Sequence, residues 1–76
     1  MQFYEYKGYI IYPIPQLSTE SEAWEAVLSV RNGKNLKIFR TEYLFKTKGE
    51  AVFHSISLGK KIIDGEIEEF TLDGIH

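Results

Sequence analysis

Asn32-Gly33 stands between two runs in which apolar and polar side chains alternate, and this constrains the fold more than any other feature of the chain. In residues 24–31, Trp24, Ala26, Leu28 and Val30 fall on one side and Glu25, Val27, Ser29 and Arg31 on the other. Residues 35–41 resume the alternation, with Leu36, Ile38 and Arg40 against Lys37, Phe39 and Thr41. A period of two is the mark of a half-buried strand. Asn-Gly suits a tight hairpin because both residues tolerate positive φ. The pattern therefore predicts an antiparallel pair joined at Asn32-Gly33. The parity of the apolar residues changes near Glu42, which predicts a bulge or corner there.

The flanking segments read in the same way. Residues 3–14 are rich in Tyr and Ile and predict an extended segment, with Gly8 as a bulge or tight bend. Pro13 and Pro15 should end it, since neither can donate a ladder hydrogen bond. Residues 16–23 read as a polar loop. Thr47-Lys48-Gly49-Glu50 fits a capping box, so a helix should run from about Lys48 to Asp64, with Gly65 as its left-handed cap. Ala51, Val52, Ser55, Ile56, Leu58, Gly59, Ile62 and Ile63 share one helical arc. Gly59 lies near the middle of that arc, where close approach to a sheet is the reason to keep a residue that weakens a helix. Lys60 and Lys61 suit the negative end of the helix dipole. Residues 66–76 form an acidic tail or a short extra strand, with Ile67, Phe70 and Leu72 as apolar anchors. The predicted fold is α+β, a three-stranded antiparallel sheet with one C-terminal helix on one face, in a single domain of residues 1–65. The other sheet face is left uncovered, or covered by a partner.

Composition narrows the function more by exclusion than by assignment. A chain of 76 residues is one domain at most. It has no Cys, so disulfide staples, thiol nucleophiles and cysteine-bound zinc are excluded. Five Phe, five Tyr and Trp24 supply the large side chains that so small a core needs, and they favour self-association. The longest apolar stretch falls far short of a membrane span. Residues Met1 to Glu5 have no basic or apolar run of the secretory kind. The expectation is a cytoplasmic protein with no membrane segment.

His54 sits at the border of the helical arc, and no second ligand accompanies it at metal-binding spacing. His76 is the last residue. No G-x-S-x-G elbow and no phosphate-cradling glycine loop is present. These features predict a non-enzymatic protein without cofactor, metal or evident small-molecule substrate. Charge is unevenly spread although the net value is only −2. Residues 31–61 are basic, between an acidic stretch at Glu20, Glu22 and Glu25 and an acidic end at Asp64, Glu66, Glu68, Glu69 and Asp73. Arg31, Lys34, Lys37, Arg40, Lys46 and Lys48 are the candidates for anion or nucleic-acid contact. The acid elsewhere argues that such binding is weak. Tyr4, Tyr6, Tyr12, Ile67 and Phe70 are the candidates for a dimer or tail interface.

Four motifs bear a resemblance: Tyr6-Lys7-Gly8-Tyr9, Trp24-Glu25-Ala26, Phe45-Lys46-Thr47-Lys48-Gly49-Glu50-Ala51, and Gly59-Lys60-Lys61-Ile62-Ile63-Asp64-Gly65. Together they resemble a family of short bacterial single-domain proteins of unassigned function. The resemblance implies a β-β-β-α domain with the outline of a double-stranded-RNA-binding domain. Some relatives are similar to the small haemolysin-activator-like domain, which implies transcriptional regulation. On the residues, the first expectation is a self-associating interaction domain. The alternative is a weak nucleic-acid-binding or regulatory module that uses the basic hairpin tip and helix N-terminus.

Overall fold

In the computed structural model, which describes residues 3–72, one antiparallel sheet is covered on one face by one helix. The strands are β1 (Tyr4–Tyr6), β2 (Tyr9–Pro13), β3 (Gln16–Ser18), β4 (Ala23–Asn32) and β5 (Asn35–Phe45), followed by α1 (Lys48–Ile63). The α+β class and the C-terminal helix stand as expected from the sequence. The sheet has five strands, however, where three were expected.

Both extra strands arise around β2. Lys7 and Gly8 both have positive φ, so the chain turns back in two residues and pairs Tyr6 with Tyr9. Gly8 is thus the tight bend, one of the two forms expected there, and it divides the extended segment into two paired strands. Residues 16–18 were expected to be loop and are strand. Their pairing with β4 keeps the register of β2, with Pro13 opposite Leu28 and Gln16 opposite Glu25. β2 ends at Pro13, as expected, but the chain keeps its register across the prolines into β3. Ile14, between them, donates its N–H to the Val27 carbonyl at 2.7 Å. Alternation then places Pro13 and Pro15 where an N–H would point away from β4, at an edge where proline forfeits no bond.

The β4–β5 hairpin forms as the alternation requires, but its turn lies one residue later than expected. Asn32 pairs with Asn35, so Gly33 and Lys34 make the turn, and of these only Gly33 has positive φ. The register is regular from there to Val27 opposite Arg40, then shifts before Glu25 opposite Leu44. Glu42, at φ 65°, is the centre of this bulge. Side chains hold it. Thr41 donates its hydroxyl to the Ala26 carbonyl at 2.7 Å and accepts the Tyr43 N–H at 3.0 Å. The Glu25 carboxylate accepts the Glu42 N–H and an Arg40 N–H, each at 3.2 Å.

The helix begins at the expected cap. Thr47 accepts the Glu50 N–H at 3.1 Å, and its hydroxyl donates to the Glu50 carboxylate. It ends in a Schellman motif: Gly65, at φ 73°, donates to Ile62, and Glu66 donates to Lys61. Ala51, Ser55, Gly59 and Ile62 face the sheet and are buried. The core gathers Ile11, Leu28, Val30, Phe39, Ile62 and Leu72, flanked by Tyr6, Tyr9, Leu58, Ile63, Ile67 and Phe70. Residues 66–72 form no strand, yet they are packed. Phe70 meets Phe39 edge-on at 5.6 Å between centroids, and Lys37 donates to the Thr71 carbonyl at 2.8 Å. Asp73 and His76, named in the sequence reading, lie outside the described residues. No helix among the described residues is long and apolar enough to cross a membrane.

Candidate interaction surface

The two faces of the sheet differ sharply. The register places Tyr4, Tyr6, Tyr9, Ile11, Leu28, Val30 and Phe39 beneath the helix and tail. It places Ile10, Tyr12, Val27, Ser29, Arg31, Leu36, Ile38 and Arg40 on the opposite face, which no described element covers. On that open face Phe3, Ile10, Tyr12, Ser29, Arg31 and Leu36 line a shallow depression of about 380 Å³.

Apolar exposure on the open face falls on Phe3 and on β5. Val27 and Ser29, in the central strand, are buried, and Ile10 and Tyr12 are half-buried. Leu36, Ile38 and Leu44 are 52, 56 and 52% exposed. Natural strands at a sheet edge are usually short, charged or interrupted by proline, because an open edge offers unpaired backbone groups. The far edge follows that rule through the three-residue β1 and through Pro13 and Pro15. From Asn35 to Thr41, β5 carries two charges, Lys37 and Arg40, which are engaged with Thr71 and Glu25, but the strand is long and this part of it contains neither Pro nor Gly.

Backbone alternation identifies the groups on that edge. Because Val27 bonds toward β2, Leu28, Val30 and Asn32 bond toward β5, where Phe39, Lys37 and Asn35 meet them. Leu36, Ile38 and Arg40 therefore direct their N–H and C=O away from β4. Among the described residues no backbone group bonds to them from that side.

The basic candidates are distributed over separate parts of the surface. Arg31 and Arg40 are on the open face, Arg40 in an ion pair with Glu25. Lys37 is on the helix face, bound to Thr71 and 5.5 Å from the Phe39 ring centroid. Lys34 is in the β4–β5 turn, and Lys46 and Lys48 flank the helix start, with Lys48 over Trp24 at 5.7 Å. The dimer-or-tail candidates also separate. Tyr12 is on the open face. Ile67 and Phe70 pack in the tail against the core. Tyr4 and Tyr6 lie under Lys60, whose ammonium is 4.3 Å from the Tyr4 ring centroid and 5.8 Å from that of Tyr6.

Tyr6 belongs to a polar cluster that ties the first hairpin to the end of the helix. Asp64 accepts from Lys7 at 2.5 Å and from the Tyr6 hydroxyl at 2.8 Å. Those two bonds, Lys7 first, hold the Asp64 carboxyl below its ordinary pKa. The bond to Asp64 in turn raises the pKa of Lys7 and of Tyr6. The arrangement is a staple between elements. His54 stacks on Phe45 at 4.4 Å, and no group of three or more potential metal ligands converges among the described residues. A groove of about 740 Å³ runs between Pro13–Pro15 and the helix residues Val52, Phe53 and Ile56, with Lys48 and Gly49 at its polar end.

Leu36, Ile38 and Leu44 were absent from the sequence candidates, although a signal for the first two was present. A two-residue turn sets Ser29 opposite Ile38 and Arg31 opposite Leu36, away from the face of Leu28 and Val30. The apolar members of β5 are therefore split between a covered and an open face. No protein-family model matches this chain, and no curated protein matches it significantly.

Proposed function

We propose that the chain is a small non-enzymatic interaction domain of the cytoplasm that works by self-association, a second copy of itself being its partner. One observation carries this reading. Three of the apolar side chains left in water on the open face, Leu36, Ile38 and Leu44, belong to the strand whose outer edge has no partner among the described residues. A second copy can satisfy both needs, burying apolar surface and pairing backbone groups. The charges around this surface also suit a like partner. Arg40 is offset by Glu25, Arg31 is the other basic side chain on the face, and the lysines lie on other parts of the surface, so no continuous cationic track crosses the face. The absence of Cys accords with a reducing compartment.

Light scattering on the purified chain and on Leu36→Lys/Ile38→Lys tests the reading. The native chain should show a mass that rises with concentration, and the double variant should remain at the chain mass. Both positions are exposed, so the substitutions should leave the fold intact. Equal masses for the two proteins at every concentration would refute the proposal.

A further inference from the structure

Resting on that reading, we infer that the two copies join by antiparallel pairing of β5 with β5, centred on Ile38, so that two five-stranded sheets become one continuous sheet. The argument starts from the phase of the ladder. Leu36, Ile38 and Arg40 point their backbone groups outward, and in an antiparallel pair only outward-pointing residues can face each other as hydrogen-bonded partners. Pairing Ile38 with the partner's Ile38 sets Leu36 against the partner's Arg40, and Arg40 against the partner's Leu36. All three outward residues of each chain are then used.

The same register follows from the limits of the strand. The regular part of β5 begins at Asn35, after the turn, and ends at Thr41, before the left-handed Glu42. Ile38 is its midpoint, so a two-fold axis there overlaps the whole regular segment with its copy. Shifting the centre to Lys37 would set two lysines against each other, and like charges directly opposite are destabilising. Shifting it to Phe39 would run Leu36 into Glu42, where the bulge ends the ladder. Centred on Ile38, no like charges are opposed. Lys37 faces the partner's Phe39, and the Arg40 stem lies along the partner's Leu36.

The remaining surroundings of β5 are compatible with this seam. One face of the strand is occupied by the tail through Phe70 and Thr71, and one edge by β4. An axis perpendicular to the sheet keeps the open faces of both copies on the same side. Ile38 then meets its copy side by side, and the Leu36 side chains flank that contact. The opposite edge offers no equivalent run, since it consists of the three-residue β1 and then of Pro13 and Pro15, which lack outward donors.

The test uses the full chain with Ile38→Pro and, separately, Ile38→Cys and Leu44→Cys. Proline at position 38 removes an N–H that bonds to nothing within the chain, as Pro13 and Pro15 do across the sheet. Circular dichroism should therefore report a folded protein. Its dimer dissociation constant should rise about 10–100-fold, since two intermolecular bonds of modest net value are lost. The chain has no native Cys, so cross-linking is unambiguous. Hydrogen-bonded antiparallel partners have Cα atoms about 5.5 Å apart, within disulfide range. Ile38→Cys should thus form a covalent dimer on mild oxidation, and Leu44→Cys, equally exposed but beyond the bulge, should not. If the proline variant fails to fold, the cysteine pair decides alone. A native chain that dimerises while Ile38→Cys cross-links no faster than Leu44→Cys overturns the β5 pairing and leaves association through the open face. A native chain that never dimerises overturns the self-association reading itself.

Discussion

Replacing Gly59 with Ala tests how closely the helix lies on the sheet. A Cβ at position 59 would fall 2.7 Å from Ile11 Cγ2, 2.8 Å from Cδ1 and 3.0 Å from Cγ1. Ile11 is fully buried in the central cluster, so it has little room to withdraw. Helix propensity alone would make Gly→Ala worth about 1 kcal/mol of added stability. Overpacking a filled core costs about 1–3 kcal/mol. The clash involves one methyl, but against three atoms of a locked side chain, so the net should be a loss of about 0.5–2 kcal/mol. For a domain of this size each kcal/mol is about 4–8 °C in Tm. The decisive assay is a double-mutant cycle by urea denaturation. Ile11→Ala should itself cost about 2–5 kcal/mol. It also deletes all three clashing atoms, so adding Gly59→Ala in that background should become neutral or stabilising. A single Gly59→Ala that stabilises the native chain would refute close helix–sheet contact, as would one whose effect keeps its sign after Ile11 is shortened.

Further predictions concern the ends of the helix and the tail. Thr47→Ala should lower stability by about 0.5–2 kcal/mol in the same denaturation assay, since the hydroxyl caps the Glu50 N–H. Phe70→Ala should cost about 1.5–3 kcal/mol, because the half-buried ring packs on Phe39, and the loss should be visible as a lower Tm. Asp64 has a depressed pKa, so its contribution is present above the unfolded value and is lost as pH falls through the folded one, below about pH 4. Lys7 has a raised pKa, so the same contact is lost at the alkaline end, as pH rises above about 10. In pH-dependent melts, Asp64→Asn should flatten both limbs relative to the native chain, and unchanged limbs would remove this staple from the account.

Much of the architecture was legible where local chemistry and periodicity agree. Thr47 and Glu50 announce the helix start, Gly65 its end, and the parity change near Glu42 the bulge. The misses have physical reasons. β3 is Gln-Leu-Ser, with little strand propensity of its own, and it is strand because the long β4 offers it a register already set by β2. Pro13 does close β2, but at an edge with the N–H position directed outward the prolines cost the register nothing, so it carries through Ile14 into β3. The turn moved from Asn32-Gly33 to Gly33-Lys34 because a single positive-φ glycine suffices when the next residue keeps negative φ. The candidate surface was harder to read. Leu36 and Ile38 look like core residues in a linear pattern, and only the pairing with Ser29 and Arg31 moves them to the uncovered face. The basic side chains, contiguous in sequence, are separated by the same pairing.

Amide hydrogen exchange along β5, followed residue by residue at low and high protein concentration, tests the central claim most directly. Lys37 and Phe39 bond toward β4 within one chain, so their N–H groups should be protected at both concentrations. Leu36, Ile38 and Arg40 point outward, so theirs should exchange freely when dilute and become protected when concentrated, Ile38 most of all. If Ile38 exchanges as fast in concentrated as in dilute solution while Lys37 and Phe39 stay protected, the strand is folded but unpartnered, and the claim that a second copy completes the sheet is contradicted.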